Sequence, residues 1–342
     1  MGGLRKLLYP FAVLYGLVIR LRHFLYDTGI LKSTAYHFPV ICVGNLSVGG
    51  TGKSPMTEYL IRLLQPNYKV GVLSRGYKRK TSGYILANSS SDVWQIGDEP
   101  FQYFKKFSHI NVAVAEKRTE GISQLMATTA TEVIILDDAF QHRKVKAGLQ
   151  VLLSAYSDLF TDDLLLPAGN LRDIRSRAKA ADIIIVTKCP DGIPDATIER
   201  LTEKIKSYGN ASVFFTGIKY DEVLKGTDTE LAINELKDRH FTLVTGIANP
   251  APLTNFLKEK GFTFEHLKFN DHHFFTEKEI DELKKKALVV TTEKDFMRLE
   301  KDVPGCFYIG IAPFFINDGG TNFDTEILNY VAKEKAPLKK AP

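Results

Sequence analysis

Residues 44–55 read GNLSVGGTGKSP and directly follow the apolar run PVICV. Glycines at 49, 50 and 52 allow the backbone to turn its N–H groups toward phosphate oxygens without a side-chain clash. The stretch therefore predicts a phosphate-binding loop whose residues contact a nucleotide: Ser47, Val48, Gly49, Gly50, Thr51, Gly52, Lys53 and Ser54. The strict pattern G-x-x-x-x-G-K-[ST] has glycine at the place of Ser47. Because the middle of the loop keeps its glycines, this difference weakens the pattern match more than the physical argument. The alternative is a Gly-rich turn without a ligand.

The end of this loop has the residues that a triphosphate and its metal require. Lys53 is expected to reach the β- and γ-phosphates, and the Ser54 hydroxyl is expected to bind Mg²⁺. Pro55 is a helix-start signal, and a helix that begins here adds the positive end of its dipole to the site. The segment is therefore interpreted as a strand, a phosphate loop and a helix in succession.

From about residue 38 the chain alternates short β-branched runs with longer amphipathic ones, which is typical of parallel βαβ units. The predicted fold is α/β: a P-loop NTPase-like, mostly parallel sheet with helices on both faces. Strands are predicted at 39–44, 69–74, 112–115, 132–138, 149–154, 182–188 and 212–217, and helices at 55–64, 118–128 and 194–208.

A polar stretch, residues 217–241, separates this series from a second strand-helix series and is interpreted as a linker, with a hairpin as the alternative. The predicted division is an N-terminal helix (1–30), a P-loop kinase domain (31–216), and the linker with a smaller C-terminal α/β domain (217–342).

The N-terminus has an uncharged run, LLYPFAVLYGLVI at 7–19, between basic residues. It is shorter than the about 20 apolar residues that a membrane span requires. No A-x-A-like cleavage site follows, so a secretory signal is not favoured. The segment is either a helix packed on the protein's own core or a helix that lies in a membrane interface. The basic flanks and the tyrosines and phenylalanines of the segment favour the interface.

The composition narrows the class of protein. A formal charge of +5 suits anionic ligands or anionic lipid surfaces, but no lysine-arginine stripe interleaved with aromatics indicates nucleic acid. The cysteines, Cys42, Cys189 and Cys306, are far apart, which fits a reduced cytoplasmic setting and not a cysteine zinc site.

Two carboxylate pairs are candidates for the chemistry. Asp137 and Asp138 end the predicted strand EVIILDD, where an acid next to the loop serine can hold Mg²⁺; the alternative is a plain turn. Asp98 and Glu99 of GDEP precede a predicted helix, where N-capping is the alternative to a catalytic role.

Cations and histidines are weaker candidates. Arg75 follows the second predicted strand, at the strand end where open α/β sheets bind ligands. Gln141 and His142 would face the same cleft, and Arg172 would meet either phosphates or solvent. For His272, in NDHHFF, a structural role is the ordinary expectation, and a carboxylate elsewhere could orient one of the two histidines and raise its basicity.

Taken together, the segments GNLSVGGTGKSP, SRGY, GDEP, DDAFQHR, LLPAGNLRD, NDHHF and TTEKD resemble the tetraacyldisaccharide 4'-kinase family, in the family's order and over most of the chain. The resemblance implies ATP- and Mg²⁺-dependent phosphorylation of the 4'-hydroxyl of an acylated disaccharide 1-phosphate lipid. It also implies a monotopic enzyme on the cytoplasmic face of the bacterial inner membrane, and it implies no protein partner.

By motif, the resemblance implies that Lys53 and Ser54 bind phosphates and metal and that Asp98 is the base for the sugar hydroxyl. It implies that Glu99 and Asp137 belong to the metal network and that an Asp138–His272 pair assists. Ser47 agrees with the family, whose loop usually has Ser or Thr there. Ala139 stands where the family usually has Gly, and Asp173 where Glu is usual.

A membrane-associated NTPase switch without a phosphorylated acceptor is the alternative function. A guanine-specific form would require N-K-x-D, and the nearest segment, TKCPD at 187–191, does not fit because it has Thr187 and places Asp191 one residue too far.

Overall fold

The computed structural model describes residues 5 and 7–335; the rest of the predicted N-terminal segment and of the C-terminal tail lies outside the described residues. The strands are β1 (Thr34–Ala35), β2 (Val40–Asn45), β3 (Val70–Ser74), β4 (Ile85–Leu86), β5 (Asn111–Val114), β6 (Val133–Asp137), β7 (Val145–Lys146), β8 (Leu149–Ala155), β9 (Ile183–Thr187), β10 (Ser212–Tyr220), β11 (Val223–Lys225), β12 (Glu230–Ala232), β13 (Phe241–Thr245), β14 (Phe264–Lys268), β15 (Val289–Thr292), β16 (Phe307–Ile309) and β17 (Ile311–Phe315). The helices are α1 (Tyr9–Asp27), α2 (Lys53–Leu64), α3 (Val93–Ile96), α4 (Asp98–Lys106), α5 (Arg118–Thr128), α6 (Asp195–Lys206), α7 (Ala251–Glu259), α8 (Glu277–Lys284), α9 (Glu293–Leu299) and α10 (Gly319–Lys335), with 3₁₀ turns at Arg175–Ala180 and Ile233–Leu236.

The larger sheet has the strand order β17-β10-β9-β8-β2-β6-β3-β5-β4. Its inner strands pair in parallel, and β4 and β17 are antiparallel edges. Helices α2, α4 and α10 cover one face, and α5 and α6 cover the other. Because both faces are covered, β2, β3, β6 and β9 are buried along their whole length, as their uninterrupted apolar runs predict. The predicted α/β fold is confirmed, and all seven predicted strands lie in this sheet.

The position of β2 in this sheet determines the position of the phosphate loop. This strand lies between β8 and β6, with Val43 opposite both Val151 and Asp137. The loop after β2 and the acidic pair after β6 therefore leave the sheet next to each other, at the edge formed by the carboxyl ends of the parallel strands.

A smaller sheet, in the order β12-β11-β16-β15-β13-β14, belongs to the C-terminal part of the chain. The polar stretch predicted as a linker or hairpin contains the antiparallel pair β11 and β12. The chain passes between the sheets at Asp221 and at Gly310, where the Asp221 N–H donates to the Gly310 carbonyl at 2.9 Å. A Cβ on Gly310 would lie 2.2 Å from Asp221 Oδ2, so a larger residue here would displace the Asp221 side chain.

The division predicted at residue 216 does not follow the two sheets. Strand β10 continues to Tyr220, and β17 returns to pair antiparallel with β10 in the larger sheet. Helix α10 then buries Phe323, Ile327 and Val331 in the core of the larger sheet. The C-terminal segment therefore contributes to both sheets, because its last apolar strand and helix pack on the larger sheet.

Buried ions connect the two parts of the molecule. Lys106 of α4 lies 2.7 Å from Glu58 of α2 and 2.6 Å from Glu293 of α9. Burial raises the pKa of Glu293 to about 7, the Glu58 charge adds to this effect, and Lys106 opposes it. Removing one member would leave a buried charge without its partner, so we infer that the network fixes α9 against α4.

Helix α1 has one buried stripe and one exposed apolar face. Ala12, Gly16, Ile19 and His23 are buried on one side at helical spacing. The exposed apolar side chains of the segment are Leu7, Leu8, Tyr9, Phe11, Val13, Leu14, Leu17, Val18, Leu21 and Phe24. Within the described residues no helix has the length and apolar character to cross a bilayer. The helix therefore packs on the protein along one stripe and leaves a large apolar surface uncovered.

Candidate active site

The phosphate loop has its glycines where the backbone needs them. Gly49 and Gly52 have φ angles of 105° and 84°, in the left-handed region that favours glycine. Helix α2 begins at Lys53, and no side chain caps its N-terminus. The first N–H groups of α2 therefore have no side-chain cap and face the loop, as a phosphate site requires.

Ser47 occupies a position that does not require glycine. It is buried, bridges antiparallel to Leu171, and is not among the residues with positive φ. The next residue, Val48, donates its N–H to the Asn170 carbonyl at 2.8 Å. The start of the loop is thus held by the 170–171 segment, and a serine side chain fits there without strain.

Asp137 is a buried carboxylate with an unused oxygen. Its Oδ2 lies 3.4 Å from Ser74 Oγ, and its Oδ1 has no hydrogen-bond partner among the described residues. Burial raises the pKa of Asp137 to about 7, and the Asp138 and Glu99 charges act in the same direction. A buried acceptor without a partner is costly, so this oxygen fits a cation that binds in the cleft.

The oxygen groups predicted to hold Mg²⁺ are few. The described residues contain no group of three or more His, Cys, Asp or Glu side chains arranged to hold a metal. Mg²⁺ is usually held by one or two carboxylates, with waters and substrate phosphates completing its octahedron. The free Asp137 oxygen and the nearby Ser54 hydroxyl and Glu99 carboxylate fit that mode of binding.

Asp98 is held in a second cluster. Helix α4 begins at Asp98 after Gly97, whose φ is 87°, and the Asp98 side chain does not cap the helix. Its Oδ2 accepts from His272 Nδ1 at 2.7 Å, and its Oδ1 accepts from Arg298 Nε at 3.0 Å. Burial raises the pKa of Asp98, but the hydrogen bonds from His272 and Arg298 outweigh burial and place it at about 2. The carboxylate is therefore ionised at any physiological pH.

The second ring nitrogen of His272 also has a hydrogen-bond partner. Lys294 Nζ lies 2.8 Å from His272 Nε2, and Lys294 lies 3.3 Å from Glu99 Oε1. Because an ammonium group can only donate, His272 Nε2 accepts from Lys294 and Nδ1–H donates to Asp98. The imidazole is thus oriented between a carboxylate and a cation.

The expected pairing of Asp138 with His272 is not formed. Asp138 instead pairs with Arg172 and with Lys53, whose Nζ is 3.8 Å from Asp138 Oδ1. Lys53 and Arg172 hold the pKa of Asp138 below its usual range, although burial opposes them. His272 belongs to the loop after β14, which packs on the N-terminus of α4, and so Asp98 is the carboxylate within its reach. A carboxylate does orient this histidine, as one reading of the sequence predicts.

Two further predicted residues contact Asn45, and one of them also contacts Asp138. Arg172 donates to both Asn45 Oδ1 and Asp138, and Gln141 Nε2 donates to the Asn45 carbonyl at 2.6 Å. Burial lowers the pKa of His142 to about 4, and the charge of Arg118 is the next cause. His142 Nε2 is buried without a partner among the described residues. Arg75 is exposed and adds its charge to those that lower this pKa.

The sequence did not point to several residues that the fold brings into the site. Lys294 lies within TTEKD and Arg298 follows it, one helical turn further on α9, so the spacing of the two cations was the available signal. The side chain of Thr187 donates to the Thr51 carbonyl at 2.8 Å. Lys188 lies beside the phosphate loop, and its sequence segment was compared only with the guanine-binding pattern N-K-x-D.

The two residues that differ from the family pattern have structural explanations. Ala139 is buried and does not have a positive φ, so its position does not require glycine. Asp173 is buried and lies 2.6 Å from His23 of α1. Its shorter side chain is therefore used to attach the N-terminal helix.

A strand, a glycine loop with Lys-Ser and a helix, next to an acidic pair on the adjoining strand, define a P-loop protein of the class that binds nucleoside triphosphates. The family model described as "Tetraacyldisaccharide-1-P 4'-kinase" matches residues 4–328. The chain belongs to the tetraacyldisaccharide 4'-kinase family.

Individual relatives agree with this assignment. A protein named "Tetraacyldisaccharide 4'-kinase" from Flavobacterium psychrophilum is 50% identical over 339 residues, 97% of this chain and 98% of the relative. A protein of the same name from Flavobacterium johnsoniae is 47% identical, over 98% of this chain and all of the relative (100%). The crystal structure of the "apo" form of LpxK from Aquifex aeolicus in complex with ATP is similar with a TM-score of 0.78. It is 31% identical and covers 96% of this chain and 99% of that chain.

Proposed function

We propose that this protein transfers the γ-phosphoryl group of ATP to the 4'-hydroxyl of an acylated disaccharide 1-phosphate, a step of lipid A biosynthesis. The observation that carries the proposal is the Asp98–His272 pair, at 2.7 Å, next to Glu99, whose charge acts on Asp137 at the end of the strand beside the phosphate loop. A hydrolase needs only a water near its phosphate loop. A buried carboxylate oriented by an imidazole and a guanidinium suits a hydroxyl acceptor.

In the proposed donor site, the loop N–H groups and Lys53 bind the phosphates. Asp137, Ser54 and Glu99 would hold Mg²⁺, which when bound withdraws charge from the phosphate oxygens. Arg172, at Asp138 and Asn45, supplies a second positive group near the transferred phosphoryl group. Phosphoryl transfer needs mainly positioning and charge neutralisation, and these residues provide both.

In the proposed acceptor site, the 4'-hydroxyl lies between Asp98 and the γ-phosphate. Asp98 accepts the hydroxyl proton, and His272 Nδ1 and Arg298 hold the carboxylate in place. Gln141, His142 and Arg75 surround the sugar side of the cleft. The roles of these residues follow from their positions and from the family motif.

Helix α1 connects this acceptor site to a membrane surface in the proposed arrangement. Tyr15 donates to the Arg172 carbonyl at 3.0 Å, and Arg22 donates to the Gln141 carbonyl at 2.9 Å. The helix therefore packs on the two loops that carry acceptor residues, while its opposite face is apolar and exposed. A lipid acceptor leaves a bilayer only at a cost of about 0.8 kcal/mol per CH₂. We place the enzyme on the cytoplasmic face of the inner membrane, attached through α1.

The proposed reaction is tested with γ-labelled ATP and an acylated disaccharide 1-phosphate in detergent. We expect the label on the lipid only when Mg²⁺ is present, and none on the lipid after chelation with EDTA. Free labelled phosphate with an unlabelled lipid would overturn the kinase proposal and would support an NTPase switch.

The membrane proposal predicts a large effect of charges on the exposed face of α1. Leu14 and Leu21 are 61% and 60% exposed, two turns apart. Replacing both by Glu should lower binding to vesicles of phosphatidylethanolamine and phosphatidylglycerol by about tenfold or more, because each buried leucine is worth roughly 1.5–3 kcal/mol. Co-sedimentation measures the bound fraction. Val223→Glu, at an exposed apolar residue of β11, should have no effect. Equal sedimentation of the α1 variant would mean that another surface attaches the protein.

A further inference from the structure

Lys188 lies at the lip of the phosphate loop. It follows β9, which pairs with β8, the neighbour of β2. The preceding residue, Thr187, donates its hydroxyl to the Thr51 carbonyl at 2.8 Å and so attaches the end of β9 to the loop. A Cβ built on Gly50 would lie 3.6 Å from Lys188 Nζ. The ammonium group is therefore next to the backbone that is expected to bind phosphate.

The backbone at Lys188 is unusual for its residue type. Its φ is 58°, in the left-handed region that residues other than Gly, Asn and Asp rarely adopt. Such conformations cost of order 1–3 kcal/mol and cluster at ligand-binding sites. Lys188 is exposed at this turn, and its ammonium group lies on the Gly50 side of the loop.

The charge of Lys188 is not balanced by the protein. Lys53 has Asp138 at 3.8 Å, but no carboxylate of the described residues forms an ion pair with Lys188. Loss of hydration lowers the pKa of Lys188, and the positive charge of Lys53 is the second cause. The positive charges of Lys53 and Lys188 therefore repel each other near this loop, and Asp138 forms an ion pair with Lys53. An anion between the two lysines would remove this repulsion.

We propose that Lys188 is a second nucleotide-binding cation, whose ammonium group contacts phosphate oxygens of the donor nucleotide on the Gly50 side of the loop. The inference rests on the proposed function, because it takes the loop to bind a nucleoside triphosphate. It adds Lys188 to the residues that determine the affinity for the donor nucleotide. The proton transfer at Asp98 does not depend on it, and the lipid acceptor does not touch it.

The test is the affinity for ATP with Mg²⁺, measured by titration calorimetry without lipid. Lys188→Met should weaken ATP binding about tenfold, as expected for loss of one charge-assisted contact, and should reduce the salt dependence of binding. Lys188→Arg keeps the charge and should remain within about threefold of the wild type. The matched control is Lys206→Met, which removes the exposed lysine that ends α6.

The steady-state parameters provide a second measurement. The loss of kcat/KM in Lys188→Met should appear mainly as a higher KM for ATP, and the KM for the lipid should not change. A thermal unfolding curve shows whether the Lys188→Met variant is folded. If it is not, Lys188→Asn also removes the positive charge, with a residue that tolerates a positive φ.

The outcomes separate the two proposals. Equal ATP affinities of the wild type and Lys188→Met, or a change confined to the KM of the lipid, would overturn the inference and leave the kinase proposal intact. A wild-type protein that binds no ATP would overturn the proposed function itself, and the role of Lys188 with it.

Discussion

Lys53→Ala is expected to lower kcat/KM by about 10³-fold, at the upper end of what removal of one preorganised charge-stabilising group costs. Lys53 is the first residue of α2, directly after Gly52 in the left-handed region. Its ammonium group is therefore held at the helix N-terminus, where the loop N–H groups and the helix dipole also face the phosphates. Alanine removes the only one of these groups that carries a full charge.

The measurement is the initial rate of label transfer at several ATP concentrations, and it should show a fall in kcat as well as a rise in the KM for ATP. Lys53→Arg should recover little activity, because a planar guanidinium does not replace a compact ammonium group in a close-fitting loop. Lys219→Ala, which removes an exposed lysine of β10, serves as the matched control and should retain full activity. A loss smaller than about tenfold would be less than one such interaction contributes. It would mean that Lys53 does not act in the donor site.

The coupling of Lys53 to Asp138 can be measured in the same assay. The two side chains are 3.8 Å apart, so Lys53→Ala and Asp138→Asn should not be additive in the double variant. Additive losses would indicate that the two residues act separately on the donor and the acceptor.

The larger sheet could be predicted from the sequence because its signals are local. Strands such as Ile183–Thr187 are buried on both faces and read as uninterrupted apolar runs. The phosphate loop is also local, since the positive φ angles at Gly49 and Gly52 are a property of single residues. The tolerance for Ser47 followed from the same reasoning, and the structure gives its cause in the contact with Leu171.

The catalytic pairings were less predictable because they join distant parts of the chain. Asp98 and His272 are 174 positions apart, and Asp98 and Arg298 are 200 apart. Neither spacing leaves a periodic signal in the sequence. The family motif indicated both Asp98 and His272 but assigned the histidine to Asp138. The pairing of β17 with the edge of β10 in the larger sheet is another long-range contact.

The N-terminal helix packs on the protein along one stripe, and its exposed apolar face is the one that we propose meets the membrane. The uncharged run gives an apolar helix in both interpretations of the sequence, and only the packing shows which stripe faces the protein. Gly16 is part of that stripe, because a Cβ there would lie 2.8 Å from Leu165 Cδ1. The protein-facing stripe uses small residues and His23, so most of the large apolar side chains remain for the opposite face.

Asp98→Asn is expected to lower turnover by about 10²-fold or more while the affinity for ATP stays nearly intact. Asparagine keeps the size of the side chain and removes the charge that we propose accepts the hydroxyl proton. A carboxylate with a pKa of about 2 is a weak base, yet it is ionised throughout the physiological range. Because phosphoryl transfer has a loose transition state in which the proton moves late, a well-placed weak base is sufficient.

The pH dependence gives this prediction a second readout. The pKa of Asp98 is lower in the folded protein than its ordinary 3.8, so the carboxylate loses its charge only as the pH falls toward 2. Any acid limb in the wild-type profile above about pH 4 must therefore belong to another group. The stability that Asp98 contributes through Arg298 and His272 is likewise present above pH 3.8 and is lost as the pH falls through the folded pKa.

The Asp98 variant requires a control for structure, since Arg298 is buried and loses one of its two carboxylate partners. Thermal unfolding should show whether the asparagine variant is folded at the assay temperature, and ATP binding should show whether the donor site is intact. Asp271→Asn is the matched control: its carboxylate lies 3.9 Å from His272 Nε2 but is 44% exposed, so turnover should change by less than about threefold. If the folded Asp98→Asn variant kept its turnover and Asp138→Asn lost it, the proton would pass to Asp138, and the Asp98–His272 pair would only position the loop.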